Sequence, residues 1–157
     1  MLRIALGSML LLVAASAQGR AQEREAISVA VVVGVSSRIP ALDADTVRDL
    51  FLRRRTLLPD GARAVPINLP VGNDARERFS ALVLGRKPAD LTAYWDRLYF
   101  DGVRPPIVLP SAEAVRRYVQ VDERAIGYLA VDEVDETVRV IVVFPPTNGG
   151  RFEAGRR

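Results

Sequence analysis

The sequence predicts an α/β fold, a three-layer α/β sandwich with helices on both faces of a sheet. Three observations lead there. ISVAVVVGV, from Ile27 to Val35, is β-branched with too little polar alternation for a half-exposed strand, so it reads as a strand buried on both faces. Apolar residues at helical spacing alternate along the chain with short strand-like runs. No internal repeat points to a solenoid instead.

The first residues, MLRIALGSMLLLVAASAQGRAQ, carry Arg3, an apolar stretch from Ile4 to Ala15, and small residues at Ala15 and Ala17 or at Gly19 and Ala21. This is the order of a cleaved secretory signal over residues 1–21, with cleavage after 17 or 21. It is too short for a membrane span of about 20 apolar residues. The expected product is exported, periplasmic in a Gram-negative cell, and not an integral membrane protein. The chain has no cysteine, so neither a disulfide framework nor a lipid-modified cysteine anchor is available. Removing residues 1–21 takes away two arginines and no acid, leaving 20 basic against 19 acidic groups, about +1 net. The whole-chain pI of about 9.8 is therefore no argument for a nucleic-acid partner. What remains is one domain's worth of chain, expected over residues 26–144.

After the first strand, SSRIPALDADT leads into a short helix with Val47, Leu50 and Phe51 at i, i+3 and i+4. A Pro-Asp-Gly turn precedes a second strand, Ala64 to Asn68. Pro66 has no N–H, so that strand is an edge or is paired on one side only. Helices are expected from Asp74 to Leu84, with Phe79, Leu82 and Val83 on one face, and from Asp90 to Tyr99, with Leu91, Trp95 and Leu98 on one face. Gly85 and Gly102 mark their ends. Ile107 to Leu109 is a short strand, Ser111 caps a helix carrying Val115 and Tyr118, and Ala125–Ala130 and Val138–Val143 are the last strands. Residues 145–157, rich in Pro, Gly and Arg, are expected to be a disordered tail.

Enzymatic chemistry is poorly supplied. With no histidine and no cysteine, the commonest general base, the thiol nucleophile and most zinc sites are excluded, and Ser36 and Ser37 have no histidine to activate them. VDEVDET, with Asp132, Glu133, Asp135 and Glu136, lacks the glycine and spacing of a calcium loop and reads as a solvated turn. The run Arg53, Arg54, Arg55 leaves a helix C-terminus, where cations complement the dipole. Trp95, in register with Leu91 and Leu98, reads as core rather than as a stacking platform, while Tyr94 and Tyr99 stay open. No cofactor and no metal site is expected.

One segment, LPVGNDARERF from Leu69 to Phe79, stands out as a glycine turn leading from a strand into a helix. Such a turn holds anions when backbone N–H groups and the helix dipole converge. Asp74 followed by Glu77 is also an acidic capping box, in which carboxylates take those same donors. Both readings stand on the residues alone.

VVVGVSSRIPALDADTVRDLFLRRRTLLPDG, VPINLPVGNDARERFSALVLG and AIGYL together resemble the second lobe of phosphate-type periplasmic solute-binding proteins of ABC transporters, within the type II periplasmic binding superfamily. KPADLTAYWDRLYFDGVRPP resembles the short single-lobe members. The resemblance implies a single lobe of that fold and a solute-binding-like function. It further implies phosphate or another small anion as ligand, and an ABC transporter or another envelope protein as partner. The family loop reads Arg-x-x-Gly-Ser-Gly-Thr-Arg. Here Leu69 stands at the first Arg, Asn73 at the Ser, Asp74 at the second Gly and Ala75 at the Thr, and only Gly72 and Arg76 agree. The candidate ligand-binding residues are Ser36, Ser37, Gly72, Asn73, Asp74 and Arg76, in a degenerate anion site. The alternative is a lobe without a ligand that serves as an interaction or assembly partner in the cell envelope.

Overall fold

The computed structural model describes residues 27–146, so the signal segment and residues 147–157 of the tail lie outside it. Five strands form one mixed sheet in the order β3-β2-β4-β1-β5. They are β1 (Val29–Gly34), β2 (Val65–Asn68), β3 (Ile107–Val108), β4 (Ala125–Ala130) and β5 (Val138–Phe144). β1 runs antiparallel to both its neighbours, β4 and β5, while β2 is parallel to β3 and β4. The carboxyl ends of β2, β3, β4 and β5 therefore lie at one end of the sheet, together with the amino end of β1.

β1 is buried along its whole length, as its unbroken β-branched run requires. Pro66 sits in an inner strand but is paired on one side only. It lies opposite Ile126 of β4, and β3 begins to pair one residue later, at Ile67. The missing N–H thus costs no ladder bond.

Helices α1 (Ala44–Phe51), α2 (Asp74–Phe79), α3 (Thr92–Phe100) and α4 (Ala112–Val121) flank the sheet. Tyr128 of β4 stacks on Phe79 with ring centroids 4.0 Å apart, and Phe51 meets Phe79 edge-on at 4.7 Å, so α1 and α2 cover one face. The adjacent Gly127 faces Val115 and Val119 of α4 on the other face. Alternation along β4 thus sorts the helices into the two outer layers. Asp43 caps α1 through the Thr46 N–H at 2.6 Å, and Ser111 caps α4 through the Ala114 N–H at 3.2 Å. α2 continues as a wider π-helical turn, Ser80–Leu84, and ends at Gly85 in the left-handed region at φ 65°.

Two expectations are corrected. The expected Asp90–Tyr99 helix is a 3₁₀ turn, Pro88–Leu91, followed by α3, and Leu91 is buried but Trp95 is only half-buried. There is little sheet for α3 to lie on, because the strand it leads to is a two-residue edge. VDEVDET is also more than a solvated turn. Asp135 pairs with Arg116 of α4 at 3.0 Å, and Arg116 donates to the Glu133 carbonyl at 2.7 Å, which fastens the β4–β5 crossover to the helix.

Candidate functional site

In sheets of this kind ligands favour the crevice beyond the carboxyl ends of the strands. The Leu69–Arg76 turn lies there, following β2. Ser36 and Ser37 do not, because β1 runs the other way. Its carboxyl end meets the amino end of β4, about 20 Å of strand from the turn. Ser37 is buried, its hydroxyl donates to the Glu123 carbonyl at 2.7 Å, and it accepts the Ile39 N–H at 3.3 Å. Arg139 holds the same loop by donating to the carbonyls of Ser37 and Ile39 at 2.8 and 2.7 Å. These contacts give Ser37 a loop-fastening role, and Ser36 beside it is exposed.

The turn itself is closed by its own side chains. Gly72 takes φ 89°, a left-handed conformation that glycine adopts without a Cβ clash. Its N–H donates to Glu77 Oε1 at 3.1 Å. Asn73, not Asp74, is the N-cap of α2, and its Oδ1 accepts the Arg76 N–H at 3.1 Å. Asn and Asp cap helices equally well, so the sequence could not choose between neighbours. Asp74 is the first helical residue, exposed, with its carboxylate in the first turn where it complements the dipole. Replacing Asn73 by alanine is expected to lower stability by about 1 kcal/mol, read as a shift of the denaturation midpoint at unchanged slope.

Arg76 turns inward. It is 6% exposed and donates from Nη1 to the Leu69 carbonyl at 3.2 Å, while Nε has no partner. Beneath it lies Tyr128, a residue the sequence reading did not single out; its only signal was one phenol in the aliphatic strand AIGYLA. The Tyr128 hydroxyl donates to Asn68 Oδ1 at 3.1 Å and accepts the Leu69 N–H at 3.3 Å, tying the start of the turn to the central sheet. Burial pushes its pKa up to about 12, against a smaller opposite pull from the Arg76 guanidinium. The folded value lies above the ordinary tyrosine value of 10.0. The contribution of the neutral phenol is thus complete below about pH 10 and is lost as pH rises from there towards 12. Tyr128→Phe leaves two buried polar groups unpaired and is expected to cost about 1–3 kcal/mol at neutral pH. Unfolding titrations of both proteins check this: part of the alkaline loss of stability should disappear in the variant.

The crevice beside the turn is acidic. A hollow of about 240 Å³ is lined by Asn73, Asp74, Asp132 and Glu133 together with Ile27, Ala75 and Ala130. It shares Asp132 and Glu133 with a larger one of about 530 Å³, to which Glu113 and Asp135 also contribute. The larger hollow's basic lining residue, Arg116, is ion-paired to Asp135. An anion entering here meets carboxylates, and like charges at close range in a protein surface repel by several kcal/mol. Among the described residues no cluster of three or more His, Cys, Asp or Glu is placed to hold a metal.

No family model matches the sequence, and no curated protein matches it. Solved structures do. An ABC-type phosphate transport receptor from Vibrio cholerae superposes with a TM-score of 0.59 at 18% identity over 73% of this chain and 45% of its own. A putative phosphate ABC transporter substrate-binding protein with bound phosphate, from Clostridium perfringens, gives 0.58 at 20% identity over 73% and 44%. PstS from Borrelia burgdorferi gives 0.55 at 9% identity over 73% and 46%. The likeness shows the fold alone, an α/β arrangement shared with part of each of these proteins. The chain spans less than half the length of each of these proteins, so a single lobe fits.

Proposed function

We propose that this chain is an exported, non-enzymatic, solute-binding-like lobe with a degenerate anion site, acting as an interaction or assembly partner in the periplasm rather than as a phosphate carrier. One observation carries the reading. Several of the donors that a phosphate would meet at the Gly72–Arg76 turn are already engaged, by Glu77 at the Gly72 N–H, Asn73 at the Arg76 N–H, and the Leu69 carbonyl at Arg76 Nη1. An anion would have to displace a carboxylate and an amide from a formed helix cap. It would also have to settle beside Asp74, Asp132 and Glu133, and it would lack the permanently charged arginine clamp that Leu69 replaces. Export rests on the charge, apolar stretch and small-residue order of residues 1–21. Among the described residues no helix is long and apolar enough to cross a membrane.

Titration calorimetry of the mature protein with phosphate, sulfate and small carboxylates tests the reading. No heat at millimolar ligand is expected. Saturable binding of phosphate that Arg76→Met abolishes would replace this reading with that of a single-lobe anion-binding module delivering to a transporter. That second reading is favoured by the buried Arg76, whose Nε is unpartnered and which pairs with no carboxylate among the described residues.

A further inference from the structure

The carboxyl half of β5 leaves a strip of the sheet bare. Val140 and Val143 are 38% and 49% exposed. They lie opposite Val32 and Ala30 of β1, on the face that α4 covers at Gly34 and Gly127. Residues three apart in a strand ordinarily point to opposite faces, and the register shift between Val31 and Val32 is what sets these two valines side by side. Val138, opposite Gly34, is buried, so the helix shields the start of the strand and not its end. The β4–β5 crossover runs on the same face, fastened to α4 through Asp135 and Arg116. Its Asp132 follows the carboxyl end of β4, and its Glu136 lies at the opposite end of the sheet, just before Val138. Both are exposed, and neither has an ion pair among the described residues.

We infer that residues 147–157, TNGGRFEAGRR, fold back along β5 and dock on this strip, with Phe152 on Val140 and Val143, Arg151 towards Asp132, and Arg156 and Arg157 towards Glu136. Reach commits the strip to this segment first. Phe144 lies opposite Val29, as Ala130 does from the other side, so the chain leaves β5 at the carboxyl end of the sheet, two strands from Ala130. Two strand spacings are about 10 Å, and Arg151, seven residues past Phe144, can extend up to about 23 Å. Direction is the second argument. Asn148-Gly149 suits a tight reversal, because both residues tolerate the positive φ it needs. A reversal there returns Phe152 to the level of Pro145, beside Val143, and sends the remaining residues back down the strand. Arg156 and Arg157 then arrive about 13–16 Å further along, the distance from Val143 back to Val138. Charge order is the third. The cations of the segment meet Asp132 and Glu136 in sequence, with its one large apolar side chain between them at the bare valines. A tail docked on its own chain needs no partner, so it stands or falls apart from the interaction reading above.

Paramagnetic broadening tests the proposal. The sequence has no cysteine, so a spin label on Ala154→Cys is a single probe of the tail in the whole mature chain. In dilute nitrogen-15 protein the amide signals of Val140 and Glu136 should broaden at least fivefold more than that of Asn73, which lies at the end where the chain leaves β5 but on the other face. Phe152→Ser should remove that difference. Arg156→Glu with Arg157→Glu should reduce it at least threefold, and adding Glu136→Arg should restore it, with the remaining signals at the parent's positions throughout. A tail that broadens the carboxyl end of the sheet on both faces alike, and leaves Glu136 sharp, overturns the docking. So does a pattern indifferent to the Phe152 change. Broadening that appears only when spin-labelled protein is mixed with unlabelled nitrogen-15 protein gives the strip to the tail of a second copy and overturns it as well.

Discussion

Phe79→Ala is expected to cost about 3–5 kcal/mol and to lower the melting temperature by roughly 10–20 °C. Phe79 is fully buried and lies where three elements meet. Its ring stacks on Tyr128 of β4 at 4.0 Å and receives Phe51 of α1 edge-on at 4.7 Å, and it sits at the junction between α2 and the π-helical turn. Truncation loses the transfer energy of the ring and leaves a void that rigid strands on one side and two helices on the other cannot close. It also removes aromatic contacts worth about 0.5–1.5 kcal/mol each beyond area. A domain of this size has about 5–15 kcal/mol of stability in all, so the variant should be close to unfolding at physiological temperature. Urea denaturation followed by far-ultraviolet circular dichroism measures the cost. A midpoint within about 1 kcal/mol of the parent would mean that the two aromatic neighbours repack across the gap.

Gly34→Ala should have a comparable effect through overpacking. A Cβ added at Gly34 would stand 2.2 Å from the Val119 carbonyl oxygen and 3.0 Å from its carbon, both backbone atoms of α4. No rotamer relieves that contact, so α4 must lift from the sheet, at about 3 kcal/mol or more. Gly127→Ala is the informative comparison. Its added Cβ would meet the Val115 side chain at 2.5 Å, while the next neighbours are 3.7 and 3.8 Å away, so the obstacle is a methyl group rather than a main chain. The Gly127 change should be milder, and Val115→Ala should relieve it in a double-mutant cycle while leaving the Gly34 change unrelieved. If both variants melt alike, the close approach of α4 to β1 is not the limiting contact.

Much of the fold was legible because its signals are local. Pro66 announced one-sided pairing, Ser111 announced a cap, and Gly85 and Gly102 take the positive φ angles of 65° and 75° that helix ends require. Less of the candidate site was legible. The sequence could not tell whether Asn73 or Asp74 caps α2, since both are good caps and the choice depends on which backbone geometry the preceding turn delivers. Arg76 matched the phosphate-loop pattern, but its guanidinium turns inward to the Leu69 carbonyl above Tyr128, a direction set by the strand beneath it. Trp95 kept helical register with Leu91, yet register says only which residues share a stripe, and the body of the fold provides little sheet for that stripe to cover.

By itself, then, the sequence determined the layered α/β class, the order and approximate limits of its elements, and the turn after β2 as the place to look. Periodicity, caps and glycine turns are properties of neighbouring residues, so they can be read along the chain. The tertiary structure alone decided that Ser36 and Ser37 are about 20 Å of strand from that turn, that the Gly72 and Arg76 N–H groups of the turn are engaged from within, and that α3 presents Tyr99 and Phe100 to solvent. Each of these depends on strand direction and on which layer an element meets. The antiparallel run of β1 is fixed by its pairing with Ala130 and Gly127 of β4, nearly 100 positions along the chain, and no local pattern around Ser36 encodes it.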